Sequence, residues 1–171
     1  MNWFKIAQSN ELIFWHATTP RLAEEIIDAG MIRSSLDLEK ETGQQYGGWN
    51  FHQVNNTYGS GIYLAKEQSE ATYYAMIRLK QEWENNRDNL DDEDQYGFIG
   101  LFKIHILNQS KLTQVDKNEV MYMGNILAQQ NQEAWFDIPT WVDKTKELEE
   151  YRNHIEKTNQ ELYGDNSSEL V

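Results

Sequence analysis

The chain has 171 residues, 39% of them hydrophobic and 12% aromatic, and its 15 basic against 28 acidic side chains give a net charge of −13. That length suits one compact domain with a real core, and the acidity argues against nonspecific nucleic-acid binding over the whole surface, because it repels phosphate backbones. With no cysteine, disulfides, a thiol nucleophile, thiolate zinc sites and iron–sulfur clusters are excluded, and a reducing compartment is compatible.

Residues 1–15 carry one lysine and no sustained apolar stretch, so no signal peptide is expected. No run of about eighteen apolar residues exists to span a membrane, and a cytoplasmic location is the expectation. Leu12-Ile13-Phe14-Trp15 reads as a buried strand that delivers His16 at its end. Thr19 and Pro20 open a helix by a hydroxyl cap and a first-turn proline. Leu22, Ala23, Ile26 and Ile27 form its apolar face, and Gly30 ends it. Residues 34–58 form a long polar loop carrying Trp49, Phe51 and His52, which acts either as a lid or as loose packing on the core.

A short strand over Gly61 to Ala65 precedes a helix from Gln68 to about Glu84, on which Ala71, Ala75, Leu79 and Trp83 recur every fourth residue. Asn85 to Gln95 is an acidic solvated loop that lacks the spacing of a calcium site. Phe98 to Ile106 is the clearest strand, with Phe102, Ile104 and Ile106 alternating against Lys103 and His105. Leu112 to Val115 and Glu119 to Met123 add two strands. Asp137-Ile138-Pro139 then opens a helix to about Tyr163, whose stripe Trp141, Leu148, Ile155 and Leu162 packs on the domain or meets a partner. The division expected is a catalytic domain over 1–136, an amphipathic helix over 137–163 packed on it, and a frayed tail over 164–171.

Three separated groups bear on chemistry: His16 after an apolar strand, Tyr63 in a Gly-x-Gly-led strand, and Glu119 opening a third. Together they suit the holding of NAD and the breaking of its nicotinamide–ribose bond. That cleavage builds positive charge on the ribose, which a carboxylate such as Glu119 stabilises while orienting or deprotonating the nucleophile. A histidine bonds ribose hydroxyls, Tyr63, Tyr73 and Tyr74 offer flat faces for the pyridine, and Gly59 and Gly61 let backbone approach a ligand. Taken singly, each has a bland counterpart as a packed histidine, a core tyrosine or an exposed glutamate.

These segments resemble the ADP-ribosyltransferase superfamily, in its His-Tyr-Glu branch of diphtheria-type toxins and poly(ADP-ribose) polymerases. Phe14-Trp15-His16-Ala17-Thr18 is similar to the family's strand ending in His-Gly-Ser/Thr. Gly59-Ser60-Gly61-Ile62-Tyr63-Leu64-Ala65 and then Ser69-Glu70-Ala71-Thr72-Tyr73-Tyr74 are similar to Gly-x-Gly-Ile-Tyr-Phe-Ala and Ser-x-x-Ala-x-Tyr. Asn118-Glu119-Val120-Met121-Tyr122 is similar to Asn-Glu-Tyr-x-x-Tyr. The resemblance covers roughly residues 12–128, and the middle motif is its most specific part.

The resemblance implies an α+β fold of split, mostly antiparallel sheets around an NAD cleft, with the C-terminal helix added. It implies His16, Tyr63 and Glu119 as catalytic, His16 on a ribose hydroxyl, Ala17 on the nicotinamide amide through its backbone, Tyr63 beside the ring and Tyr74 stacked on it. Thr18 and Gly61 complete the matched cofactor-binding segments. The serine that bonds the carboxamide falls at Ala71 by ungapped counting, with Ser69 as its substitute in a shifted register. Ala17 stands where the family usually has glycine.

The Arg-Ser-Glu branch fits badly, since position 117 is Lys rather than the Glu of a Glu-x-Glu pair. The function implied is a single transfer of ADP-ribose from NAD to a protein, nucleic-acid or small-molecule acceptor. The chain resembles toxins, phage factors or effectors in this, with an inhibitory partner protein among the expected partners. Two other readings stay open: a non-catalytic NAD- or ADP-ribose-binding module, and an acidic protein that mimics nucleic-acid charge toward a basic partner.

Overall fold

The computed structural model describes residues 11–34, 61–86 and 97–164. The loop expected over 34–58 apart from Ser34, the residues Gly59 and Ser60, the acidic stretch from 87 and the tail from 165 lie outside the described residues.

The longest strand, β4 (Phe98–Ile106), is the spine. Its period-two pattern buries Phe102, Ile104 and Ile106 completely, as alternation requires of a half-buried strand. Strand β1 (Leu12–Thr18) lies antiparallel to it in an unbroken register from Leu12 opposite Ile106 to Thr18 opposite Gly100. Because β4 is long enough to carry the ladder that far, His16 sits inside β1 rather than at its end, correcting the expectation.

Helix α1 (Pro20–Ala29) follows at once and ends at Gly30 with φ 65°, a left-handed geometry that glycine adopts without steric cost. Thr19 precedes the helix without a side-chain cap. Its hydroxyl instead donates to Glu82 Oε1 at 3.2 Å, so the expected cap becomes a tie to a distant helix. Strand β2 (Met31–Ile32) is short.

Next come β3 (Ile62–Ala65) and helix α2 (Gln68–Asn86), close to the bounds their patterns predict. The fourfold stripe Ala71, Ala75, Leu79 and Trp83 is buried along its length. A single 3₁₀ turn at Gln109–Lys111 leads into β5 (Leu112–Gln114), and β6 (Glu119–Tyr122) follows. Three short strands then close the sheet: β7 (Ile126–Leu127), β8 (Ala134–Phe136) and β9 (Thr140–Asp143). Helix α3 (Thr145–Tyr163) is last.

Among the described residues the architecture is α+β, with one nine-stranded sheet in the order β2-β7-β8-β4-β1-β3-β6-β5 and β9 paired to β4 beside β8. Every pairing is antiparallel except β7 with β8. The sheet is continuous rather than two separate sheets, but one junction is thin: β1 and β3 share a single register pair, Trp15 with Ala65. One face buries Phe14, Leu64, Phe102, Val120 and Tyr122 with Ala23 of α1. The other carries α2 and α3 through Ala75, Leu79, Trp83, Ile99 and Leu148.

The helix expected from 137 begins eight residues late. Residues 140–143 are strand, opposite Leu101 to Phe98 of β4, and Asp143 Oδ1 accepts the Thr145 N–H at 2.9 Å where α3 starts. Trp141 therefore leaves the heptad stripe and pairs with Gly100. Of the rest, Leu148 is buried, Ile155 half-buried and Leu162 exposed. The segment packs on the domain at its first turns, where Tyr151 meets Trp83 edge to face at 6.1 Å. No helix among the described residues is long and apolar enough to cross a membrane.

Candidate functional site

Strand register brings two of the three expected groups onto one face. Glu119 of β6 stands opposite Ala65 of β3, and Ala65 stands opposite Trp15 of β1. Directly opposed residues of antiparallel strands share a face, as do residues two apart along a strand. Tyr63 thus emerges on the same side as Ala65 and Glu119. Helix α2 lies over that side, because Ala71 packs with Ala65 and Leu101. Tyr74 stands three residues beyond Ala71, half-exposed beside Tyr73, with the two rings 5.7 Å apart and edge to face.

Alternation assigns His16 to the opposite face with Phe14 and Thr18, where its ring stands 6.5 Å from Phe102. It still reaches the site's strand. Beyond the lone Trp15–Ala65 pair, the His16 Nδ1 lies 3.3 Å from the Tyr63 carbonyl oxygen. A carbonyl only accepts, so Nδ1 carries the proton and Nε2 keeps a lone pair as an acceptor. Burial lowers the His16 pKa, the Tyr63 bond opposes this in part, and the Arg78 charge adds to the lowering. The imidazole is neutral at pH 7.

Glu119 is fixed from its backbone outward. The Asp116 carboxylate accepts the Asn118 N–H at 2.7 Å and the Glu119 N–H at 2.9 Å. The N–H groups of Val115 and Asp116 donate to the Glu119 carbonyl at 3.1 and 3.2 Å. Burial, with Asp116 and Glu70 as neighbouring negative charges, pushes the Glu119 carboxyl up to about 7. The Tyr63 phenol is raised by burial and then by Glu119. The Tyr74 phenol is raised by burial, then by Glu119, Asp116, Glu70 and Tyr73. Acids perturbed by burial and by named charge partners, clustered in one place, make this a candidate functional site.

The remaining expected residues divide. Ala17 is half-buried against the Ala65–Ala71–Leu101 cluster, next to the seam between β1 and β3. Thr18 is buried opposite Gly100. Ala71 is a core residue, 4% exposed. Ser69 is exposed, two residues and hence about 200° around the helix from Ala71, so it does not join the cluster. Gly61 has a packing constraint of its own: a Cβ there would lie 2.5 Å from Met121 Cγ and 2.7 Å from the Tyr122 carbonyl oxygen. Gly61→Ala is expected to cost about 1–3 kcal/mol through overpacking against a backbone atom that cannot yield. Chemical denaturation measures it, and an unchanged midpoint would contradict this close approach of residue 61 to β6.

Three members of the site were not singled out from sequence: Glu70, Arg78 and Asp116. The first two share a signal with Tyr74, since Glu70, Tyr74, Arg78 and Glu82 recur every fourth residue, one position before the buried alanine stripe. This polar stripe runs from the Glu119 end of the site to the His16 end, where Glu82 meets Arg78 and Arg21 at 4.0 and 3.6 Å. Asp116 announces itself only as an Asx turn three residues before Glu119. Among the described residues no group of three or more His, Asp or Glu side chains is arranged to hold a metal ion. Comparison of the chain with protein-family models, curated proteins and solved structures finds no match.

Proposed function

We propose that the chain is an NAD-dependent ADP-ribosyltransferase of the His-Tyr-Glu kind, with Glu119 as its catalytic carboxylate. One observation carries the reading: Glu119, Tyr63 and Tyr74 share a face beside a seam where His16 reaches the Tyr63 carbonyl. The single-pair junction between β1 and β3 also supports it, as the nearest feature here to the family's split sheets and cleft.

In this reading the nicotinamide ring lies between Tyr63 and Tyr74, with its amide on the backbone of Ala17. The neutral His16 accepts a hydrogen bond from a ribose hydroxyl at Nε2. The bond between the pyridinium nitrogen and the ribose anomeric carbon breaks, and its electron pair leaves with the now neutral nicotinamide. The anionic Glu119 stabilises the ribosyl cation. The acceptor's nucleophile, or water, then bonds the anomeric carbon and passes its proton through Glu119 to solvent.

Incubating the protein with NAD labelled in its adenine moiety, with and without cell lysate as acceptor source, tests the reading. Nicotinamide release together with label transfer or free ADP-ribose is expected. No release between pH 6 and 9 would overturn it.

A second reading, an NAD- or ADP-ribose-binding module without catalysis, is favoured by the burial of Ala71 where the resembled family places its carboxamide-bonding serine. Calorimetric NAD binding with no nicotinamide released over long incubation would select it.

A further inference from the structure

The first turns of α2 carry aromatic surface into water. Tyr73 is 64% and Tyr74 41% exposed, and their rings meet edge to face at 5.7 Å. Two exposed rings side by side, rimmed by polar groups, form the kind of patch that marks an interaction surface. Helix spacing sets part of the rim. Glu67, just before α2, and Glu70, in its first turn, precede Tyr73 in steps of three residues, so these side chains and Tyr74 follow one ridge. The turn between β5 and β6 is tied to the foot of that ridge. The Lys66 N–H donates to the Asn118 carbonyl and the Lys66 ammonium to the Lys117 carbonyl, each at 2.9 Å. These two bonds bring the exposed Asp116 and the half-buried Glu119 to the same end of the helix.

Charge selects the occupant. Glu67, Glu70 and Asp116, joined by Glu119 when it ionises, outweigh Lys66 and the exposed Lys117. Arg78, one turn past Tyr74, faces Glu82 at 4.0 Å. Glu70 points the same way, because its Oε2 is buried and meets no hydrogen-bond donor. A carboxylate so placed is stabilised by a positive charge brought near. A guanidinium suits such a ridge better than an ammonium: it lies flat over a tyrosine face and keeps N–H donors at its edge for carboxylates. The fold uses this contact internally, with Arg152 over the Trp83 ring at 5.4 Å. A nucleic acid meets the wrong sign here, on a chain of net charge −13.

We propose that this ridge docks a basic, arginine-bearing segment of a protein acceptor, with a guanidinium stacked on Tyr73 and its charge met by Glu67, Glu70 and Asp116. A segment lying there is held at the end of the helix next to Glu119. This rests on the proposed function for calling the partner an acceptor, and not for the binding itself.

Fluorescence anisotropy of the full chain with a short labelled peptide of alternating arginine and glycine tests the surface. Tyr73→Ala is expected to weaken binding by about three- to tenfold, and a peptide with lysine in place of arginine to bind the parent less tightly. Glu67→Lys should weaken binding at low salt by a factor that shrinks as salt is added. Tyr163→Ala, at a ring 71% exposed near the end of α3, should bind as the parent does, and a single-stranded oligonucleotide should not bind. Equal affinity in Tyr73→Ala and Tyr163→Ala would show that net charge alone holds the peptide and would overturn the ridge. Tighter binding of the oligonucleotide than of the peptide would overturn a protein partner. Nicotinamide release by a protein whose peptide binding ignores residue 73 overturns the ridge alone. Binding that depends on Tyr73, in a protein that releases no nicotinamide, leaves the ridge standing and overturns the transferase reading.

Discussion

Replacing Glu119 by Gln is expected, on the proposed function, to remove catalysis, and to stabilise the fold by an amount that grows as the pH rises above about 4.5. The loss of turnover follows from charge: a neutral amide fills the same volume but offers no anion to the developing ribosyl cation. On the order of 10²-fold or more should be lost in kcat with NAD affinity kept. The stability effect follows from linkage. Burial and two neighbouring carboxylates hold Glu119 at about 7 in the fold, against 4.5 for the ordinary group. The raised value means that the folded state keeps a proton which the unfolded chain has released. This stabilising contribution is complete below about pH 4.5, declines above it, and is gone once the pH passes through about 7.

Glu119 is only partly buried, so solvent screening discounts this difference to about 1–2 kcal/mol. The Gln variant has no charge to bury and so escapes the loss. At pH 5 the two proteins should melt within a degree or two, and at pH 8.5 the variant should melt higher, by roughly 2–8 °C for a chain of this size. The wild-type rate should rise with pH along a limb centred near 7, since only the anion serves the cation. Equal melting temperatures at pH 8.5 would show that Glu119 is not buried among like charges. Full turnover in the variant would assign catalysis elsewhere.

Phe102→Ala is expected to have the largest effect on stability. Phe102 is fully buried at the middle of the central strand, edge to face with Phe136 at 5.3 Å and opposite His16 in the β1–β4 register. Truncation there removes an aromatic ring and leaves a cavity that strands on both sides keep from collapsing, a loss of about 3–5 kcal/mol. Set against a total stability of about 5–15 kcal/mol, that brings a domain of this size near its threshold and lowers its melting temperature by roughly 6–20 °C. Phe98, on the same strand but 38% exposed, is the control, and its truncation should cost about 1 kcal/mol or less. Equivalent losses at the two positions would mean that the first residue of β4 is packed as tightly as its middle. The His16 ring leans on the same side chain, so the surviving Phe102→Ala protein should also bind NAD more weakly than Phe98→Ala.

Much of this was legible in the chain because it is local. The alternation of Phe102, Ile104 and Ile106, the fourfold stripe of α2 and the glycine stop at Gly30 depend on contacts within a few residues, and each element formed close to its predicted bounds. The segment after residue 136 was misread for the opposite reason. A seven-residue spacing beginning at Trp141 satisfied a helical stripe, while residues 140–143 found stronger partners in the first half of β4, some forty positions away. Strands β2, β7 and β8 are of two or three residues, too short to carry a period of their own.

The candidate site divides along the same line. Sequence alone determined which side chains are available, the order His16, Tyr63, Glu119, and the acidity of the whole, since residue identity and spacing are properties of the chain. Only the tertiary structure decided that Ala65 pairs with both Trp15 and Glu119, that Ser69 turns outward, and that Gly61 answers to β6. It decided too that Glu119 keeps its proton near neutrality, because burial and the fields of Asp116 and Glu70 exist only once strands distant in the chain have been brought side by side.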